Sequence, residues 1–275
     1  MRLGIIGLPQ TGKTTLFNAL TRGSQPTGPA SGKIEIHTAV VDVPDPRVDK
    51  LAEMFIPKKT IYAKVTYVDI AGLDGSAGKT GISGALLNNL TQMDGFIHVV
   101  RAFADDNVPH VRETVDPLRD IQAMDSELVL NDLIAVERKL ERLAEEKKKG
   151  AGREKSVVDR EIVLFERFHE ALAGETPLRD LEVSAEENKM LSGFGFLSQK
   201  PLLIVLNLSE GQAEPAIAYD HKHTKMVALQ GKLEADIAQL SAEEAEVFLA
   251  EYKIEEPSLN RKIGRGRVGK ECRSG

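Results

Sequence analysis

The sequence is poor in the residues on which several classes of protein depend. It has one cysteine, Cys272, and no tryptophan, and aromatic residues make up 5% of its 275 residues. A single cysteine excludes an intramolecular disulfide and a metal site built on cysteines, and so few rings argue against a protein that mainly stacks on nucleic-acid bases. No apolar run approaches the ~18 residues of a membrane-spanning helix. These absences favour a cytoplasmic protein without a membrane partner.

The charge balance bears on whether the protein binds nucleic acid. The chain carries 36 Lys and Arg against 42 Asp and Glu, a net charge of −6. This disfavours binding of nucleic acid through bulk charge, although a local basic patch stays open. The length predicts one to two domains at ~150 residues each.

Strands and helices alternate through the first part of the chain. Such alternation is typical of an α/β domain whose mostly parallel sheet is covered on both faces. The pattern predicts strands over 2–6, 38–43, 61–68 and 96–100, and helices over 14–21 and 85–90.

Near Asp116 the pattern changes to helices alone. Apolar residues at helical spacing predict helices over 126–149 and 154–173, separated by a glycine-containing turn, and therefore an antiparallel coiled-coil hairpin. Strands over 201–206 and 225–229 and a helix over 242–252 then resume the α/β pattern. We therefore predict a domain formed by 1–115 and 198–257, a helical insertion at 116–197, and a basic tail at 258–275.

The segment Gly7–Thr14 matches G-x-x-x-x-G-K-[ST] in full, with a predicted strand before it and a helix after it. In this P-loop, backbone N–H groups curl around phosphate oxygens and the helix N-terminus adds its positive end. Lys13 would reach the β- and γ-phosphates, and the Thr14 hydroxyl would bind Mg²⁺, which makes them the candidate catalytic residues. The candidate nucleotide-binding residues of the loop are Gln10, Thr11, Gly12, Lys13, Thr14 and Thr15.

Two further motifs follow predicted strands. Asp69–Gly72 fits D-x-x-G, in which Asp69 would hold Mg²⁺ through water and the Gly72 N–H would sense the γ-phosphate. Asn207-Leu208-Ser209-Glu210 stands where GTPases carry N-K-x-D. Because Glu210 is longer than Asp and Leu208 replaces Lys, the motif favours ATP over GTP, with GTP kept open. An alternative interpretation is that Asn207 or Ser209 caps a following helix.

The chain as a whole resembles the YchF subfamily of Obg-related P-loop NTPases, the Obg-like ATPases. The resemblance covers residues 1 to about 261. It implies a Ras-like nucleotide domain, a coiled-coil insertion, a preference for ATP, slow hydrolysis and an association with ribosomes. The segments that carry it are 43–51 (VPDPRVDKL), 68–73 (VDIAGL), 98–101 (HVVR), 105–108 (DDNV), 116–117 (DP) and 207–210 (NLSE).

Leu73 takes the place of the water-positioning Gln, as it does in the family, and implies slow turnover.

Several loops depart from the family pattern. Lys33 stands where the first switch of the family has a Mg²⁺-binding Thr, and 75–79, 230–232 and 262–270 also differ, the last where the family enters its TGS domain. Three functions therefore stay open: a slow ATPase, a non-hydrolysing nucleotide-dependent binding module, and a GTPase.

The predicted hairpin ends in a basic turn, Lys147 to Lys155, with five Lys or Arg side chains. One interpretation is a contact with ribosomal RNA or protein; the other is a solvated charged surface. The six histidines show no convincing metal-ligand spacing.

Overall fold

The computed structural model describes residues 1–27, 36–70, 73, 82, 84–149, 153–191 and 193–251. Six strands lie within these residues: β1 Arg2–Ile6, β2 Ile36–Val43, β3 Ala63–Ile70, β4 Gly95–Arg101, β5 Leu202–Asn207 and β6 Thr224–Leu229. The helices there are α1 Lys13–Thr21, α2 Pro46–Phe55, α3 Gly84–Thr91, α4 Pro117–Lys149, α5 Lys155–Ala173, α6 Ala185–Leu191, α7 Gly231–Gln239 and α8 Ala242–Glu251, with a short 3-10 helix at Leu178–Asp180.

The strands form one sheet in the order β2-β3-β1-β4-β5-β6. All neighbouring pairs are parallel except β2 with β3, which is antiparallel. The mostly parallel α/β sheet predicted from the alternating pattern is therefore confirmed. Strands β3 and β4 flank β1 on opposite sides, so the order of the strands reverses at β1. In α/β folds, ligands usually bind in the crevice at the carboxyl ends of the strands where this reversal occurs.

Helices cover both faces of the sheet. On one face, α3 and the beginning of α4 pack Leu90, Ile121 and Met124 against Ile204 and other strand residues. On the other face, Leu16 and Phe17 of α1 pack with Val205 and with Ala235 of α7. The buried side of α1 thus fixes this helix to the sheet. The packing thereby determines the position of its N-terminal turn, which directly follows the P-loop.

A third apolar cluster stabilises the hairpin formed by α4 and α5. It contains Val136 and Leu143 of α4 with Phe165 and Phe168 of α5. Phe196, from the segment returning to β5, lies edge-on to Phe168 with ring centroids 6.0 Å apart. The predicted helical insertion is confirmed; its exact boundaries at 116 and 197 stay predictions, because α4 contributes to the sheet core before it enters the hairpin core.

Some element boundaries differ from the sequence prediction. The helix predicted to begin at 126 begins at Pro117, where proline suits the first helical turn and the Asp116 carboxylate accepts a hydrogen bond from the Arg119 backbone N–H (3.1 Å). The helix α2 was not predicted, although Val48, Leu51 and Phe55 stand at helical spacing in its sequence; none of its residues is fully buried in the fold. The short helices α6 and α7 were also missed. The other predicted elements agree within two residues, and Tyr252 lies outside the described residues.

Candidate functional site

The P-loop leaves β1 at Gly7 and enters α1 at Lys13, at the carboxyl edge of the sheet. Gly7 and Gly12 both have positive φ, 148° and 94°. A Cβ at Gly7 would lie 2.3 Å from the Val99 carbonyl oxygen, and a Cβ at Gly12 would lie 2.3 Å from Asn207 Nδ2. Both motif glycines are therefore required by the close approach of the loop to β4 and β5.

Lys13 extends back along the loop. Its Nζ donates hydrogen bonds to the carbonyl oxygens of Gly7 (2.9 Å) and Leu8 (2.7 Å). Burial lowers the pKa of Lys13 to about 8, while the charge of Asp69 acts in the opposite direction. An anion beside this ammonium would therefore stabilise its charged form, as a phosphate-binding lysine requires.

Thr14 and Asp69 meet across 55 residues of sequence. The Thr14 hydroxyl donates to Asp69 Oδ2 at 2.8 Å. The other carboxylate oxygen, Oδ1, is buried and has no hydrogen-bond partner among the described residues. Burial raises the pKa of Asp69, and the Thr14 hydrogen bond and Lys13 charge partly oppose that shift. A hydroxyl and a carboxylate with an unsatisfied oxygen fit a hard divalent cation such as Mg²⁺.

Asn207 connects the P-loop to the loop after β6. Its side-chain amide donates to the Thr11 carbonyl oxygen at 3.0 Å, and its Oδ1 accepts from the Gly231 N–H at 2.9 Å. The residue is 6% exposed. The sequence predicted Asn207 as a contact of the nucleotide base. The structure adds a role that was not predicted, because this side chain fixes two of the site loops to each other.

Leu208 and Glu210 follow Asn207 but point to different surroundings. Leu208 is buried in the apolar core on the α3 and α4 face, and its N–H donates to the Leu229 carbonyl oxygen at 2.9 Å. Glu210 is exposed. Residues 208–223 form neither helix nor strand, so the interpretation of Asn207 or Ser209 as a helix cap is wrong.

Gln212 is a residue of this region that sequence reasoning missed. Its Oε1 accepts from the Ser209 N–H at 2.9 Å, and its Nε2 donates to the Ala102 carbonyl oxygen at 2.7 Å. The side chain thereby ties the turn after Asn207 to the end of β4. A lone Gln in a loop carries no local signal from which this role could be predicted.

Parts of the predicted site lie outside the described residues. These are Gly72, Lys33 and the second-switch segment 75–79. Leu73 is described, is 2% exposed and packs into the same apolar core as Leu208.

The basic turn of the hairpin is largely neutralised by acidic neighbours. Lys147 pairs with Asp159 (2.7 Å), and Arg153 pairs with Glu146 (2.6 Å) and with Glu161. Lys149 lies 3.4 Å from Glu145 in a fourth pair. Three of the five predicted cations therefore have carboxylate partners within the hairpin.

Three of the six histidines have clear surroundings in the structure. His98 is fully buried in β4, and burial lowers its pKa to about 4, so it is neutral. His110 lies 2.9 Å from Asp120, and His221 lies 2.6 Å from Asp180. Across the described residues, no three His, Cys, Asp or Glu side chains are grouped as ligands of one metal ion. None of the described helices is both long and apolar enough to span a bilayer.

Comparison with known proteins identifies the family of the chain. A family described as "50S ribosome-binding GTPase" matches residues 2–148. The "Ribosome-binding ATPase YchF" of Bacillus subtilis is 35% identical over 272 residues, covering 94% of this chain and 73% of the relative. The protein of the same name from Escherichia coli O157:H7 is 37% identical, covering 96% and 74%. A solved structure titled "Structure of the Schizosaccharomyces pombe YchF GTPase" matches with a TM-score of 0.74 at 28% identity, covering 96% of this chain and 73% of that one. With two such relatives and the same fold, this chain belongs to the YchF family of P-loop NTPases.

Proposed function

We propose that this protein binds nucleotide with Mg²⁺, prefers ATP to GTP, hydrolyses it slowly, and acts in the cytoplasm with the ribosome as its partner. The observation that carries the proposal is the Thr14–Asp69 pair (2.8 Å) beside the P-loop Lys13. The names of the bacterial relatives support both the ATPase activity and the ribosome as partner.

The residues have separate roles in this proposal. Lys13 exchanges its two loop carbonyls for β- and γ-phosphate oxygens. Thr14 and Asp69 hold Mg²⁺, which when bound neutralises charge on the phosphates. Gln10, Thr11, Gly12 and Thr15 supply backbone N–H groups and the start of the helix, and Gly72 senses the γ-phosphate.

Slow hydrolysis follows from Leu73. A leucine has no group that can orient an attacking water, and this one is buried in the core. Rate enhancement then depends on positioning, the metal ion and backbone groups, without a water-orienting side chain. The choice of base depends on Asn207, Leu208 and Glu210, and the relatives bear both names, ATPase and GTPase.

The test is calorimetric titration with ATP and GTP in the presence of Mg²⁺, together with phosphate release from the same sample. Tight ATP binding, weak GTP binding and slow release support the proposal. Tight binding without release favours the binding-module alternative, and then Lys33→Thr should restore turnover. Tight GTP binding favours the GTPase alternative, whereas binding of neither nucleotide contradicts all three.

For the ribosome contact we propose the hairpin turn from Lys147 to Lys155. Lys148 and Lys155 are the two cations of this turn that form no ion pair among the described residues, although the charge of Lys155 still acts on Asp159. We therefore expect these two ammonium groups to meet ribosomal RNA phosphates. We expect Lys148→Ala with Lys155→Ala to weaken co-sedimentation with ribosomes and to reduce its salt dependence. Lys58→Ala with Lys59→Ala removes the same charge from another exposed loop and is the matched control. Unchanged pelleting of the hairpin variant at low salt would exclude this contact.

A further inference from the structure

A buried polar cluster lies where the hairpin joins the sheet, and the nucleotide site does not use it. Its centre is Arg179, in the 3-10 helix of the segment that returns from the hairpin, with a side chain that is 0% exposed. The guanidinium donates to Asp125 Oδ1 (2.7 Å), to the Tyr219 hydroxyl (2.7 Å) and to Thr224 Oγ1 (3.1 Å). The Tyr219 hydroxyl also bonds to the second oxygen of Asp125.

The neighbouring Asp180 holds the same stretch of chain. Its carboxylate accepts from the Lys222 N–H at 2.8 Å and lies 2.6 Å from His221 Nδ1. Residues 219–224 are therefore fixed by two consecutive side chains, Arg179 and Asp180. We call the group Asp125, Arg179, Asp180, Tyr219, His221 and Thr224 the polar clamp.

The position of the polar clamp connects two functional parts of the molecule. Asp125 lies on α4 beside Met124, which packs on the sheet, and shortly before Val129, where the hairpin core begins. Tyr219 lies near the end of the loop 208–223, whose first residues are the predicted base contacts. One guanidinium thus joins the base of the hairpin to the far end of that loop.

Stability alone does not account for this cluster. One guanidinium nitrogen of its central residue, Arg179 Nη1, is buried without a hydrogen-bond partner among the described residues. Buried ionic groups are often matched or exceeded in stability by apolar residues of similar volume, and one attested use of them is to select a single arrangement of the parts they join. The directional bonds of Arg179 to α4, the loop and β6 suit that use.

We propose that Arg179 is a positioning residue that holds the loop 208–223 and the base of the hairpin in one joint arrangement. Nucleotide binding at the start of the loop then shifts the hairpin, and a partner bound to the hairpin shifts nucleotide affinity by the same factor. This inference rests on the proposed nucleotide-binding function and on the hairpin as the partner-binding element.

The first test is hydrogen exchange of the full chain with and without Mg²⁺-ATP. In the wild type we expect ATP to slow exchange in the P-loop and to change it in 208–223 and in 117–130. Arg179→Lys keeps the charge but loses the planar fork, and we expect it to retain the P-loop change and lose the one in 117–130. The matched control is Arg167→Lys, which alters a half-exposed hairpin arginine paired with Glu187 and should behave as the wild type.

The second test measures reciprocity. In the wild type we expect ATP to change ribosome affinity by about 5-fold or more, the lower end of usual coupling, and Arg179→Lys to bring that factor close to one. If Arg179→Lys fails to fold, Tyr219→Phe removes one acceptor of Arg179 and retains the ring. Transmission to 117–130 that survives in these variants, or that is absent from the wild type, would overturn the inference. Absence of ATP protection in the wild-type P-loop would instead contradict the proposed function itself.

Discussion

The substitution Asn207→Ala tests the connection between the P-loop and the loop after β6. Asn207 makes two buried hydrogen bonds, to the Thr11 carbonyl oxygen at 3.0 Å and from the Gly231 N–H at 2.9 Å. Alanine removes both partners at once and leaves a buried carbonyl and a buried N–H unsatisfied. The variant should therefore lose stability and also lose the relative placement of two site loops.

The size of the effect follows from those two groups. An unsatisfied buried donor or acceptor costs about 1–3 kcal/mol, so loss of two such partners should lower the free energy of unfolding by roughly 2–6 kcal/mol. At about 2–4 °C per kcal/mol for a chain of this size, the melting temperature should fall by roughly 4–24 °C. If the loops also separate, ATP affinity should fall about tenfold or more, which corresponds to ~1.4 kcal/mol.

Asn18 provides a matched control with the same bonding pattern outside the site. Its amide donates to the Gln25 carbonyl oxygen (2.8 Å), its Oδ1 accepts from the Gln25 N–H (2.9 Å), and it is 8% exposed. Asn18→Ala should reduce stability similarly but leave ATP affinity nearly unchanged. Calorimetric unfolding and ATP titration of both variants would decide. An Asn207→Ala protein that melts with the wild type, or equal loss of ATP affinity in both variants, would refute the reasoning.

Three further predictions follow from other parts of the structure. Because burial lowers the pKa of Lys13 to about 8, ATP affinity should fall about tenfold between pH 7 and 9 as the ammonium of the free protein deprotonates. Over the range from about pH 8 toward 10.5, the unfolded chain binds more protons than the folded protein, so the free protein should gain stability as the pH rises. A flat profile of ATP affinity against pH would contradict this. Asp69→Asn removes a buried carboxylate whose pKa is raised by burial, so thermal melting should stay equal or rise while ATP affinity becomes the same in Mg²⁺ and in EDTA; retained Mg²⁺ dependence would exclude Asp69 from the metal site. Phe165→Ala empties the centre of the hairpin core and should cost about 3–5 kcal/mol of unfolding free energy, with ATP affinity unchanged in the folded protein; a cost below ~1 kcal/mol would mean that this core does not stabilise the hairpin.

The parts of the fold that were predicted correctly are those whose signal lies within a short stretch of sequence. The P-loop contains its own glycines, and the strands are β-branched apolar runs between turn residues. The start of α4 at Pro117 and the helix α2 were missed although both carry a proline at the helix start. Both also have apolar residues at helical spacing: Ile121, Met124 and Leu128 in α4, and Val48, Leu51 and Phe55 in α2.

The contacts that define the site depend on residues far apart in sequence. Asn207 lies 196 residues from Thr11, and Arg179 lies 54 residues from Asp125. The carboxylate partners of the basic turn likewise depend on how α4 aligns with α5. That alignment places Lys147 beside Asp159. No single window of sequence contains these pairings, so the motifs predicted the residues of the site without predicting how they are joined.

The continuity of α4 through two apolar cores has a mechanical consequence. The helix has 33 residues and is therefore about 50 Å long, of which roughly 30 Å lies between Val129 and Lys149. With its first turns seated on the sheet, the rest acts as a lever whose fulcrum lies beside Asp125. A tilt of about 10° there would carry Lys149, roughly 36 Å away along the helix, through roughly 6 Å, close to the pitch of a helical turn. A small change of angle beside the sheet would thus become a displacement of several ångströms at the far end of the hairpin.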